Sequence, residues 1–384
     1  MSSYKFEDIA FNITQKRKPT TDDMQTYIGL EHLDRGSLSV SRWGSNVPIK
    51  GDKLIMQAGD VLFGKRNAYL RRAAIAPHDG LFSAHGMVLK PNKKVILKAL
   101  FPFFVCSDYF IDAAIRISVG SLSPTINWSA LKELEFNLPD MKKQEKLAEL
   151  LWAANDTKEA YKKLFSLTDA LLKSQFIEMF GDPVVNPKGW TINKLSNLTT
   201  KIGSGATPKG GQENYKSEGI SLIRSLNVYN GSFKYEDLAF IDDTQAKQLS
   251  NVIVEKKDVL INITGASVAR SCIVPDDVLP ARVNQHVSIL RCNCNEISYM
   301  FLNQLLTSLS YQRLLLGIGE SGGATRQAIT KQQLEYLEII LPPIELQNQF
   351  ADFVIQINKS KFELYQTISS LENTIKSLMQ RYLI

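Results

Sequence analysis

Apolar residues follow two distinct rhythms along this chain. Short runs of strand length occur at Leu54-Ile55-Met56, Val61-Leu62-Phe63 and Met87-Val88-Leu89, and again at Ile220 to Ile223, Val259 to Ile263 and Val287 to Leu290. Gly, Asn and Asp punctuate them, so they predict β-strands. Helical patterns cover Leu97 to Ile117 and Tyr299 to Leu316. The second rhythm has a period of seven. Leu147, Ala154, Tyr161, Thr168 and Gln175 form one row, with Leu150, Thr157, Leu164 and Leu171 as companions. Near the end Phe350, Ile357, Leu364, Leu371 and Leu378 repeat it, beside Val354, Lys361, Ile368 and Ile375. Heptads sustained over this length predict two coiled-coil helices. Pro139 and Pro342-Pro343 precede them, and Gly181-Asp182-Pro183 stops the first.

The two halves are copies of one plan. Asp60-Val61-Leu62 returns 198 residues later as Asp258-Val259-Leu260, and Leu134-Glu135-Phe136-Asn137-Leu138-Pro139 is echoed at an offset of 203 by Leu337-Glu338-Ile339-Ile340-Leu341-Pro342. A Gln follows each (Gln144, Gln347), and the rows led by Leu147 and Phe350 keep the 203 offset. The expected fold is α+β: two globular domains in tandem repeat, separated by two long antiparallel coiled-coil helices. The boundaries are 1–139 for the first domain, 140–180 for the central helix, 181–190 for a linker, 191–342 for the second domain and 343–384 for the distal helix. A helix of roughly 36 residues is a rod of about 54 Å at about 1.5 Å per residue, longer than a small domain is wide. Its twin is the natural partner, with Leu147, Leu150, Tyr161, Leu164 and Leu171 facing Phe350, Ile357, Leu364, Leu371 and Leu378 or a further subunit.

The chain has 384 residues, 44% hydrophobic and 22% charged, which places it among globular proteins rather than disordered ones. No apolar run reaches the roughly 18 residues of a membrane span, and Met1 to Lys5 opens nothing like a signal peptide, so a cytoplasmic location is expected. Four cysteines, at 106, 272, 292 and 294, form neither a disulfide framework nor paired zinc spacings, and are expected to be idle. The net charge of +6 is mild but uneven: residues 1–139 carry 18 Lys/Arg against 13 Asp/Glu, 181–342 carry 16 against 15, and both helical segments balance. A local basic face is compatible with nucleic acid.

No catalytic residue, cofactor or metal is expected. The Gly203 to Gly211 cluster has Gly211-Gln212 where a P-loop needs Lys-Ser or Lys-Thr, and Gly317 to Gly323 lacks the flanking strand and helix of a dinucleotide fingerprint. HExxH and an Asn/Asp-Pro-Pro-aromatic motif are absent from the sequence. Asp140, Glu145 and Lys146 hold nuclease-type residues, but they lead into the heptad helix with no strand to display them.

DNA contact is the chemistry that remains. Residues 61 to 72 carry Lys65, Arg66, Arg71 and Arg72 with no acid, and Asn67 and Tyr69 lie among them. Arg grips guanine bidentately, Asn grips adenine, and both serve phosphate. The matching run in the second copy holds Thr264 and Arg270 in the same frame with far fewer charges, so the copies would read different sequences. Further candidates are Ser204, Thr207 and Lys209 in the glycine-rich loop, Arg224 and Asn227 after a strand, and Thr325 and Arg326 before the last strand, matched by Ser121 to Thr125 in the first copy.

In this order the residues resemble the specificity (S) subunits of type I restriction-modification systems. The likeness rests on Leu138-Pro139 and Leu341-Pro342-Pro343, on Gln144 and Gln347, on Phe180-Gly181-Asp182-Pro183 with Asn186-Pro187-Lys188-Gly189-Trp190, and on the Gly203 to Pro208 and Ala324 to Ile329 stretches. The resemblance implies two target-recognition domains, each reading one half of a bipartite site in double-stranded DNA. It implies that the helices set the spacer and dock two modification (methyltransferase) subunits. Restriction subunits would add the nuclease, and the S subunit itself would be non-catalytic. Two other readings are a coiled-coil adaptor without DNA and a methyltransferase or nuclease with a degenerate site.

Overall fold

A computed structural model describes residues 1–207, 215–320 and 327–383. The chain divides into two compact units, Met1–Lys163 with Leu364–Ile384, and Leu164–Glu363. Each therefore contains one globular domain and a stretch of both long helices.

In the first unit the strands are β1 (Ser2–Lys5), β2 (Ala10–Ile13), β3 (Lys16–Arg17), β4 (Lys53–Met56), β5 (Val61–Phe63), β6 (Ala73–Ile75), β7 (Gly80–Phe82), β8 (Met87–Pro91) and β9 (Glu135–Leu138). They build an antiparallel sheet ordered β2-β8-β5-β6, a three-stranded sheet β3-β4-β7, and the pair β1-β9. Strands of the second unit are β10 (Thr191–Lys194), β11 (Thr199–Ser204), β12 (Ile220–Ile223), β13 (Val228–Tyr229), β14 (Ser232–Phe233), β15 (Ala239–Ile241), β16 (Ile253–Val254), β17 (Val259–Asn262), β18 (Ser271–Ile273), β19 (Ala281–Val283), β20 (Val287–Cys292) and β21 (Glu338–Leu341). Sheet β11-β20-β17-β18 and pair β10-β21 copy their counterparts, while a four-stranded sheet β15-β12-β19-β16 stands where the first unit has three strands.

The repeated Asp-Val-Leu triplet explains the layering. Successive side chains of a strand point to opposite faces. Val61 and Phe63 enter one core with the helices Phe101–Cys106 and Asp108–Arg116, and Leu62 enters a second core with Leu54, Met56 and Phe82. Val259 and Ile261 pack with helix Tyr299–Thr307, and Leu260 with Leu222, Ile241 and Val283. Because β5 and β17 are apolar on both faces, they read as unbroken apolar runs, and each such side chain contributes about 1.5–3 kcal/mol on burial. Ser107 separates the helix pair of the first unit and caps its second helix, its Oγ accepting from Phe110 N at 3.2 Å. Ser308 divides the equivalent pair.

The central helix (Met141–Phe180) and the distal helix (Ile344–Leu383) each span 40 residues. Within the first unit, Leu147, Ala148 and Leu151 share a core with Met379 and Leu383, and Lys162 Nζ lies 3.5 Å from the Glu372 carboxylate. The start of one helix thus lies beside the end of the other, which makes them antiparallel. Within the second unit the Phe176 and Phe180 rings each have centroids 5.5 Å from that of Phe350, and Lys361 pairs with Asp169.

One expected row is corrected. Leu147, Phe350 and Leu364 are buried and Tyr161, Ile357, Leu371 and Leu378 half-buried, but Leu150, Leu164 and Leu171 are 41%, 49% and 47% exposed. The seam of the central helix instead uses Leu151, Lys158, Phe165 and Leu172 beside the row of Leu147. A heptad is split as three plus four or four plus three, and the chain takes the second, the one that Phe350 and Val354 show in the twin.

Gln144 and Gln347 prove to be interior staples. Gln144 Nε2 donates to the Val95 and Pro139 carbonyls, both at 2.9 Å, and its Oε1 accepts from Leu97 N at 2.9 Å. Gln347 Nε2 donates to Pro342 O at 2.8 Å and Glu296 O at 3.4 Å, and its Oε1 accepts from Ser298 N at 2.9 Å. Each ties the first turn of its helix to the strand-to-helix loop of the same globular domain and satisfies backbone groups that would be costly to bury alone.

Candidate nucleic-acid interface

The basic run of the first unit leaves β5 and turns at residues 64–72 against the loop before β9. Ile126 N donates to Lys65 O at 3.0 Å, Asn67 N to Pro124 O at 2.8 Å, and Arg66 Nη2 to Ser123 Oγ at 3.3 Å. Two loops nominated separately, 61–72 and 121–125, therefore form one surface. Arg66 and Tyr69 are exposed, and Asn67 adopts a left-handed φ of 53° that an Asn tolerates better than most residues. Arg72 is half-buried, its carbonyl accepting from Gly64 N at 2.8 Å.

Other cations gather here from distant sequence. Burial first, then the charge of Lys16, depresses the Lys65 ammonium below its ordinary value. His85 is likewise lowered by burial and then by Arg66, Lys65 and Lys53. The patch of Lys16, Lys53, Lys65, Arg66 and His85 is electropositive enough that its members oppose one another's charge. Phosphate relieves such repulsion.

Arg71 leaves the candidate set. It takes a φ of 53° and forks to Asp108 at 2.6 Å and to Asp112. Lys376, the burial and then Arg71 act on Asp108, whose carboxyl stays below its usual range. The guanidinium thus clamps the loop to helix Asp108–Arg116 and is already neutralised.

The second unit builds the same frame from different groups. Ile329 N donates to Ile263 O at 2.8 Å and Gly265 N to Gln327 O at 2.9 Å, as the first unit does around Lys65. Thr264 thereby occupies the place of Arg66. Its hydroxyl hydrogen bonds His286 Nδ1, Gln285 Nε2 donates to His286 Nε2 at 3.1 Å, and Thr207 donates to Gln285 Oε1. Ser204 is exposed at the end of β11. Gly205 follows, and a Cβ there would lie 1.8 Å from Val283 O, so only glycine allows this approach. Arg270 lies over the Tyr229 ring at 4.5 Å and Arg224 over Tyr215 at 5.3 Å, where cation–π attraction holds them.

Asn227 also leaves the set. It is fully buried, accepting from Arg224 N at 3.0 Å and donating to Lys234 O at 2.9 Å and Glu236 O at 3.2 Å. Its carboxamide shapes the turn after β12, as the His32 ring does in the first unit by accepting from Gly29 N at 2.9 Å. Lys209, Thr325 and Arg326 lie outside the described residues. Lys16, Lys53, His85, Gln285 and His286 were not singled out from the sequence. The signal for the histidines was there: two of only four, each just before an apolar strand, 201 residues apart.

The comparisons with known proteins agree with this two-copy frame. The family defined as the type I restriction modification DNA specificity domain matches residues 3–164 and again 187–373. The chain belongs to that family. It is thus a DNA specificity subunit of a type I restriction-modification system, non-catalytic itself, with the catalytic activities in partner subunits. Over 369 residues it is 25% identical to the protein named for the MjaX specificity subunit of Methanocaldococcus jannaschii, spanning 87% of this chain and 82% of that one. The MjaIX specificity subunit of the same organism is 25% identical over 299 residues, 73% of this chain and 63% of the relative. Among solved structures, the S subunit of a type I system from M. genitalium superposes with a TM-score of 0.59 at 13% identity, covering 100% of this chain and 96% of that one. A structure from work on assembly and conformational transition of the type I system gives 0.58 at 18%, covering 99% and 97%.

Chemistry elsewhere on the chain is quiet. Burial pushes the Cys106, Cys272 and Cys292 thiols up to about 12, so they remain protonated and unreactive. Among the described residues no group of three or more His, Cys, Asp or Glu is arranged to hold a metal, and no helix is long and apolar enough to cross a membrane.

Proposed function

We propose that each globular domain of this specificity subunit reads one half of a bipartite site in double-stranded DNA. The domains would run over 1–139 and 191–342, with 181–190 as linker and 140–180 and 343–384 as the helical segments. The reading surface of the first unit comprises Lys65, Arg66, Asn67, Tyr69 and Arg72, extended by Lys16 and Lys53. That of the second comprises Ser204, Thr207, Thr264 and Arg270, with Arg224 at its side, and Lys209, Thr325 and Arg326 complete the proposed set. The observation that carries this is the frame at 64–66 and 262–264. The same backbone bonds hold Arg66 in one copy and Thr264 in the other, which gives two readers with different preferences.

Two modification subunits dock on the helices, where Leu150, Leu164, Leu167 and Leu171 leave an apolar row outside the paired seam, and restriction subunits join through them. The helices set the spacer between half-sites, and the complex works in the cytoplasm. A binding isotherm of the chain with its modification subunit, repeated across salt concentrations, tests the DNA reading. Affinity is expected to fall linearly on a double-logarithmic plot as Lys and Arg release phosphate counterions. No measurable DNA affinity at any salt concentration would speak for an adaptor that touches no DNA.

A further inference from the structure

His85 and His286 stand at the same point of the two copies. Strand pairing sets the match: Val61 faces Leu89 in β5-β8 and Val259 faces Leu290 in β17-β20, so the residue before Gly86 corresponds to the one before Val287. The turns entering β8 and β20 also close alike. His85 N donates to Ser83 Oγ at 3.3 Å and Gly86 N to Ser83 O at 3.0 Å. His286 N donates to Asn284 Oδ1 at 3.0 Å and Val287 N to Asn284 O at 3.3 Å. None of these bonds uses an imidazole, so the turn itself does not explain why a histidine recurs. His32, by contrast, spends its ring on its own turn, and the second copy replaces it with Asn227.

Both rings border the position where the copies differ, Arg66 in one and Thr264 in the other. In the first unit burial, and after it the charges of Arg66, Lys65 and Lys53, disfavour the imidazolium of His85. In the second unit the relay from Thr207 through Gln285 settles the tautomer. The Gln285 amide donates to Nε2, so the ring proton sits on Nδ1 and is donated to Thr264, whose hydroxyl keeps its own hydrogen to give. The His85 ring is exposed toward a base edge, whereas the His286 ring, with both nitrogens engaged, holds the Thr264 hydroxyl ready to donate to one.

We propose that His85 and His286 are matched specificity-determining positions: His85 contacts base edges in the half-site read by the first unit, and His286 is a positioning residue that holds Thr264 toward the base edges read by the second. The proposal rests on the DNA reading above and adds which side chains the two copies share. It is tested on the chain in complex with its modification subunit, using DNA in which the full target, only the first half-site or only the second half-site is intact. His85→Ala is expected to reduce by roughly 10-fold the affinity gained from the half-site of the first unit and to leave the other gain unchanged; His286→Ala is expected to do the reverse. Thermal unfolding should not move for His85→Ala, because its turn closes without the ring, and His85→Gln and His286→Gln serve as second variants where alanine disturbs folding. Variants that discriminate as the parent does, or that weaken both half-sites equally, overturn the proposal while leaving the DNA reading intact. A parent complex that discriminates no sequence overturns both.

Discussion

Asp258 is fully buried, and its carboxylate accepts from Glu255 N at 2.7 Å and from Arg291 Nε and Nη2 at 2.8 and 2.9 Å. Asp60, its counterpart, accepts from Gln57 N at 2.9 Å but meets only a lysine, Lys90, at 3.5 Å. The repeated Asp is therefore a turn latch: its side chain closes the turn before β5 or β17, and its carbonyl receives Ala76 N or Val274 N. The copies differ in how the charge is matched. Removing one partner of a buried, doubly bonded pair costs about 3–5 kcal/mol, whereas a loose contact to a partly exposed lysine contributes about 1 kcal/mol or less. Asp258→Ala is accordingly expected to lose much more stability than Asp60→Ala in urea unfolding, and equal losses would contradict the latch as described. At this scale the sequence was informative where one residue type had one role, as with the Asp-Val-Leu triplets. It was silent on Arg71, because two carboxylates more than thirty residues away decide whether that guanidinium is free. The same holds for Lys16 and Lys53, which reach Lys65 and Arg66 only through the sheets that bring their strands together.

Between elements, the heptads foretold two long antiparallel helices but misjudged one of their rows. Leu150, Leu164 and Leu171 are a more apolar set than Leu151, Lys158, Phe165 and Leu172, yet the second set is the more buried. Hydrophobicity alone misleads here, since the seam buries Asn155, Lys158 and Thr168, and polar groups in a coiled-coil seam fix register at a cost in stability. The twin helix held the answer, because Val354 stands 203 residues after Leu151. Leu151→Ala and Leu172→Ala are expected to cost about 2–5 kcal/mol as buried truncations, and Leu150→Ala and Leu171→Ala about 0.5 kcal/mol as surface changes. Chemical denaturation of the four variants measures this, and the opposite ranking would restore the sequence-based register. Gln144 and Gln347 belong to this scale as well: a Gln at the start of each helix looked like a family mark, and the structure gives it a mechanical reason.

For the whole molecule, duplication is the governing fact. Each unit closes with the start of one long helix and the end of the other, so the first is assembled from two separate stretches of chain, 1–163 and 364–384, and the second from the single stretch 164–363. The mild net charge follows from the same plan: the basic excess belongs to the first domain, while the second offers threonine, histidine and glutamine on an equivalent frame. Two readers of unlike chemistry on one chain require a target with two unlike halves. Selection from a random DNA library by the chain assembled with its modification subunit measures this directly. The account predicts two short fixed blocks of different sequence separated by a spacer of constant length and free composition; recovery of one contiguous block, or equal affinity for every sequence, would contradict it.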